Sequence, residues 1–120
     1  MDQKVTVEEL KKLVAKFRDE REWNKYHNPK DLAVSMSIEA NELLELFQWK
    51  TNEEVEELLK NNEKYQKVME ELADVMIYCL NLADTIGADL SDAIKKKLEL
   101  NEKKYPIEKI KGNYRKYNEL

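Results

Sequence analysis

The sequence has little of what interrupts or staples a chain: one cysteine, one histidine, two glycines and two prolines among 120 residues. A lone Cys79 excludes an internal disulfide and suits a reducing, cytoplasmic setting. So little Gly and Pro beside 38% charged residues is a composition typical of helices. The single His27 excludes a di-iron bundle, which needs Glu-x-x-His motifs on paired helices; Asn24 stands three residues before it. No Cys/His cluster suits zinc, and no G-x-x-x-x-G-K-[ST] loop cradles phosphates. No run of 18 apolar residues is long enough to span a membrane, and the opening MDQKVTVEEL lacks a signal peptide's apolar stretch. Cys79, on an apolar stretch, reads as core rather than nucleophile.

Charge is present but uneven. The net charge of −4 argues against non-specific binding of nucleic acid. From Lys95 to Leu120 nine Lys/Arg face four acids, a balance of +5 that leaves −9 on the preceding 94 residues. An acidic body with a basic tail suits a metal-bound polyanion such as a nucleoside triphosphate; a solvated helix face with a soluble tail fits the charges equally.

Helical signals run along most of the chain. Thr6 with Glu9 forms a capping-box pattern ahead of Val7, Leu10, Leu13, Val14 and Phe17, and this first helix should end near Trp23–His27. Asn28-Pro29 marks a second start, for a helix to about Trp49 with Ile38, Leu43, Leu46 and Phe47 as its core side. Thr51 or Asn52 caps a short acidic helix that Asn61-Asn62 ends or bends. A third long helix, roughly Glu63 to Ile86, is apolar on most sides after Val68 and should lie centrally. Gly87 then suits a helix C-terminus, and Asp89 or Ser91 caps a fourth helix ending at Tyr105-Pro106. Residues from about 106 onward read as an irregular basic tail. The pattern predicts one all-α domain over residues 1–120, resembling a four-helix bundle.

Two acidic patterns call for a physical reason. Glu39, Glu42 and Glu45 are three residues apart, so on a helix they project from nearly one face and repel one another. In the apolar third helix Glu71, Asp74, Tyr78 and Asn81 form a single polar stripe. A carboxylate facing a dry core is costly unless paired or coordinated, so Asp74 implies either a buried salt bridge or a metal ion. If the faces holding Glu39/Glu42 and Glu71/Asp74 meet, their oxygens form a cage of the kind Mg²⁺ prefers, with room for water and substrate phosphates. The bland alternative is four surface acids on solvated faces.

These residues, in this order, carry a family resemblance. EANE (Glu39, Glu42) followed by ELAD (Glu71, Asp74) resembles the E-x-x-E and E-x-x-D helices of the MazG-like all-α nucleoside triphosphate pyrophosphohydrolases, most closely their dCTP pyrophosphatase branch. The likeness extends from about Leu10 to Leu120 through REWNKYHNPKDLA, EANELLELFQWK, EELADVMIYCLNLAD, KLELNEKKYPIEK and KGNYRKYNEL. It implies Mg²⁺-dependent hydrolysis of a dNTP, dCTP or a 5-substituted dCTP first, to monophosphate and pyrophosphate. Glu39, Glu42, Glu71 and Asp74 would hold the metal. Glu45 would be a further ligand, an orienter of the attacking water, or exposed. Trp23, His27 and Trp49 match base-pocket positions, with Tyr78 one turn beyond Asp74. Asn101, Lys104 and Tyr105 match an N-x-x-K/R-Y-P segment that would meet sugar and phosphates, and Lys97 precedes them by one turn. Lys111 and Lys116 would reach phosphates or remain solvated.

The resemblance also implies a homo-oligomer, dimer or tetramer, with helices packing across subunits. Two alternatives compete with a dNTP hydrolase: a non-catalytic helical module whose acidic faces bind a basic partner, and a same-fold enzyme acting on another substrate such as a phosphoribosyl-ATP. Retention of both acid pairs disfavours the first, and the Trp23/His27/Trp49 set the second.

Overall fold

The computed structural model of the chain describes residues 1–110. All regular structure among the described residues is helical: α1 Val7–Glu20, a 3₁₀ turn Trp23–Lys25, α2 Pro29–Glu45, α3 Asn52–Lys60, α4 Asn62–Thr85, α5 Leu90–Lys104 and a four-residue α6, Ile107–Ile110. The all-α expectation therefore holds. By its contacts the chain divides after Gly87, with Met1–Gly87 one compact unit and the residues from Ala88 on a second.

Local chemistry places most helix starts. The Thr6 hydroxyl accepts from Glu9 N–H at 3.1 Å, and Asn28 Oδ1 accepts from Asp31 N–H at 2.9 Å with Pro29 inside the first turn. Thr51 and Glu54 form a reciprocal capping box. Asn61 serves both neighbours, closing α3 and accepting from Lys64 N–H at 3.1 Å to open α4. Asp89, not Ser91, caps α5 through Asp92 N–H at 3.0 Å. Gly87 follows the end of α4 at φ +69°, a left-handed conformation that glycine enters without steric cost.

Helix ends differ from the sequence reading in three places. α1 stops at Glu20, and Glu22, at φ 55°, turns the chain into the 3₁₀ turn that carries Trp23. α2 stops at Glu45, four residues short of Trp49, where the Leu46 and Phe47 N–H groups donate to carbonyls three residues back, those of Leu43 at 3.2 Å and Leu44 at 2.9 Å. Trp49 itself sits at φ 67°. The tail expected to be irregular from about 106 forms a helical turn at Ile107–Ile110; residues 111–120, with Lys111 and Lys116, lie outside the described residues.

In the first unit α4 is central and packs against α2, α1 and α3. The core is sparse: Leu32 (1% exposed), Val68, Leu80 and Ala83 are its buried apolar residues. Cys79 lies half-buried with its Sγ 3.5 Å from Met36 Sδ, and burial pushes its thiol pKa up, as suits a core residue. Ile38, assigned to the core from sequence, is 52% exposed, and Leu13, Phe17, Leu72, Met76 and Ile77 also keep much of their surface in solvent.

Candidate active site

The α2–α4 pairing brings the two acidic stripes together. Glu39 and Glu42 come from successive turns of α2, and Glu71 and Asp74 from successive turns of α4. Glu39, Glu42 and Glu71 each present a carboxylate oxygen within 4.8 Å of the other two. Asp74 stands just outside this trio and adds its charge to the field acting on Glu39. Burial comes first among the causes that push the Glu39 carboxyl up to about 7. A hydrogen bond shared with Glu42 and the charges of Glu42, Asp74 and Glu71 act in the same direction.

Glu71 is the most enclosed member, at 7% exposure. One of its oxygens meets Lys67 Nζ at 3.0 Å, an i, i+4 pair within α4. Its other oxygen, like Oε2 of Glu39, is buried with no hydrogen-bond partner. Buried carboxylate oxygens without donors are costly. Two of them on members of one acidic cluster fit a divalent cation, which at about 2.1 Å per ligand holds its oxygens roughly 3–4 Å apart. The residues present thus suit a hard metal ion.

The same acids border an aromatic cavity of about 230 Å³. Its wall includes Glu39 and Asp74 together with Trp23, His27 and Tyr78. The Trp23 and His27 rings lie 5.9 Å apart and those of His27 and Tyr78 6.5 Å apart, while Phe17 packs edge-on to Trp23 at 5.8 Å. The volume is below the ~300–1,000 Å³ of sites that enclose a whole drug-sized molecule, and suits one heteroaromatic ring.

In the wall of the same cavity lies a polar relay. Arg18 Nη1 donates to Asn81 Oδ1 at 2.9 Å, and the Asn81 amide nitrogen lies 2.9 Å from His27 Nδ1. Arg18 also pairs with Asp19 at 2.8 Å and Asp84 at 3.0 Å. Being engaged on every side, this guanidinium anchors the wall and is not available to a phosphate.

Other sequence-derived candidates are placed differently. Trp49 is 92% exposed and does not line the aromatic cavity. Glu45 lies outside the trio and lines a separate cleft with Lys50, Lys64 and Lys67. Lys97, Asn101 and Lys104 share one face of α5 by their i, i+4, i+7 spacing, in the second unit, and Tyr105 ends that helix. The Asn101 carbonyl accepts from Tyr105 N–H at 2.8 Å.

Arg18, Phe17 and Lys67 are site neighbours that the sequence reading passed over. The polar stripe of α4 includes Asn81, but its spacing alone assigns that residue no role. A signal existed for Arg18, which falls in the helical register of Val7 and Val14 on the apolar side of α1, where a cation implies a partner.

Residues 34–120 match the family model described as the MazG-like family. The sequence is 37% identical over 115 residues to dCTP pyrophosphatase 1 of Homo sapiens, spanning 96% of this chain and 68% of that protein. Against dCTP pyrophosphatase 1 of Bos taurus the identity is 36% over the same shares. Among solved structures, a pyrophosphatase from Archaeoglobus fulgidus superimposes with a TM-score of 0.77 at 50% identity, covering 82% of this chain and 91% of that one.

Proposed function

This chain belongs to the MazG-like family, and from that premise we propose that it is a Mg²⁺-dependent nucleotide pyrophosphohydrolase. It converts a dNTP, dCTP or a modified dCTP first, to the monophosphate and pyrophosphate, and so clears unwanted nucleotides from the pool. The observation that carries this reading is the shared wall: Glu39 and Asp74 border the cavity that Trp23, His27 and Tyr78 close. One site thus offers a base pocket beside a cluster of carboxylates able to hold a cation.

Glu39, Glu42, Glu71 and Asp74 are the metal ligands in this reading. The bound ion would neutralise phosphate charge and make the attacked phosphorus more electrophilic. The residues around it perform the rest. Trp23 and Tyr78 present ring surface for stacking, which tolerates any base, while the polar edge of His27 discriminates among them. Lys67 balances the charge of Glu71 within α4. Asn101, Lys104, Tyr105 and Lys97 on or at the end of α5 are assigned to sugar and phosphates by their match to the family segment. Glu45, outside the trio, is left to orient water or to remain solvated.

Pyrophosphate release from a panel of dNTPs and NTPs, with Mg²⁺ and with EDTA, tests the assignment. Release that needs Mg²⁺ and is fastest with dCTP is expected. Absence of release from every triphosphate would overturn the reaction, and a purine optimum would overturn the base preference. The protein also acts as a homo-oligomer in this reading, supported by the exposed apolar side chains of Val34, Ile38 and Leu44 on α2 and Leu72, Met76 and Ile77 on α4.

A further inference from the structure

An imidazole offers a ligand a donor or an acceptor according to which ring nitrogen holds the proton. For His27, the one histidine of the chain, a hydrogen-bond relay makes that choice. Arg18 carries only donors and stays charged at any working pH. The Asn81 atom 2.9 Å from its Nη1 is therefore the amide oxygen, since turning the amide over would set an NH₂ group against the guanidinium. The Thr85 hydroxyl, 3.4 Å from the same oxygen, can donate to it as well.

With Oδ1 so committed, the Asn81 nitrogen 2.9 Å from His27 Nδ1 is a donor, and Nδ1 has to accept. The relay cannot readily turn. Asp19 and Asp84 hold Arg18 at 2.8 and 3.0 Å, its side chain is 11% exposed, and Asn81 is 3% exposed.

We propose that Arg18 and Asn81 are positioning residues that lock His27 in the neutral Nε2–H form, so that the pocket presents the nucleobase with a hydrogen-bond donor. This rests on the reading of the cavity as a base site. Among the described residues Nε2 has no hydrogen-bond partner, so its N–H is the polar group His27 has left to offer. A donor at that point recognises a ring nitrogen or a keto oxygen and rejects an exocyclic amino group. For cytosine it meets N3 or O2, not N4. The opposite form would select the amino edge, so a relay in the same cavity wall decides which edge of the base is read.

The test begins without substrate. The ring nitrogens of ¹⁵N-labelled protein are observed by NMR at about pH 8.5, where an ordinary imidazole (pKa about 6.5) is neutral. With one histidine, no assignment problem arises. A pyridine-like Nδ1 and a pyrrole-like Nε2 are expected. The reverse pattern, an even mixture of the two forms, or a doubly protonated ring would each overturn the proposal.

Asn81→Asp replaces the donor by an acceptor. It is expected to move the proton to Nδ1 and to lower kcat/KM for the preferred base by about tenfold, mainly through KM, a change equivalent to one hydrogen bond. An unmoved proton in a variant with wild-type circular dichroism would overturn the relay, and the wild-type spectrum decides the matter if that variant does not fold. If no triphosphate is hydrolysed, the base-site reading fails while the tautomer result still stands.

Discussion

At the scale of single residues, Glu39 ties protonation to stability and, in the proposed site, to metal binding. Its carboxyl is pushed up to about 7, so folding without metal opposes its ionisation. Below about pH 4.5 the group is protonated in both folded and unfolded chains and contributes nothing. As pH rises toward 7 the unfolded chain ionises first, and stability is lost by an amount of order 1 kcal/mol, allowing for solvent screening. Calorimetry in EDTA should show the metal-free protein less stable at pH 8 than at pH 5 from this source, with Glu39→Gln removing that part of the slope. In the proposed site Mg²⁺ would need the ionised form of Glu39, so its apparent affinity should weaken as pH falls through 7. Equal affinities at pH 6 and pH 8 would count against Glu39 as a ligand. Glu42→Gln and Asp74→Asn should each lower turnover at least 100-fold while leaving helix content intact; near-native rates in either would remove it from the metal site. That the acids of α2 and α4 would meet was legible, because their i, i+3 spacing on two helices had no cheap explanation. For Arg18 the register of α1 signals a partner but not which one, since Asn81 lies 63 residues away; Lys67 has a local i, i+4 partner in Glu71, but such pairs are too common in so charged a sequence to single it out.

Among the elements, α2 and α4 form the frame, and their contact fixes the carboxylates as surely as any hydrogen bond. Leu32, near the start of α2, is the most deeply buried side chain of the unit. Leu32→Ala should cost about 2–4 kcal/mol in chemical denaturation and, by loosening α2 against α4, also weaken Mg²⁺ binding. Most helix starts could be read from the sequence because a cap is a local event, as at Asn28, at Thr51 beside Asn52 and at Asp89 beside Ser91, whereas Asn61 reads as a break and proves to be the cap of α4. Ends without glycine or proline left no comparable mark. Nothing in FQW announces that α2 stops at Glu45, and the left-handed Trp49 becomes visible only in the backbone. A non-glycine residue there costs about 1 kcal/mol. Trp49→Gly should therefore leave stability equal or slightly raised, whereas a rise in KM with altered base selectivity in the same variant would show that the exposed ring meets substrate. Unchanged selectivity would remove Trp49 from the base site.

For the whole molecule, the distribution of apolar surface matters more than its amount. Helical periodicity identified the apolar faces of α1, α2 and α4 but not how much of each a single chain would cover, because periodicity gives direction and not depth. Ile38 and Met76 show the difference: both sit on apolar stretches, and both remain about half exposed. Light scattering should return a mass of at least two chains at micromolar concentration, and Met76→Lys, which sets a charge in the apolar face, should shift it toward one. A core that the described residues fill with little more than Leu32, Val68, Leu80 and Ala83 has a further consequence if the chains associate. Folding and association then draw on the same contacts, so the melting temperature should rise with protein concentration. At the nanomolar dilutions of a sensitive rate assay the chains would come apart, and specific activity would fall with time and recover on concentrating the sample.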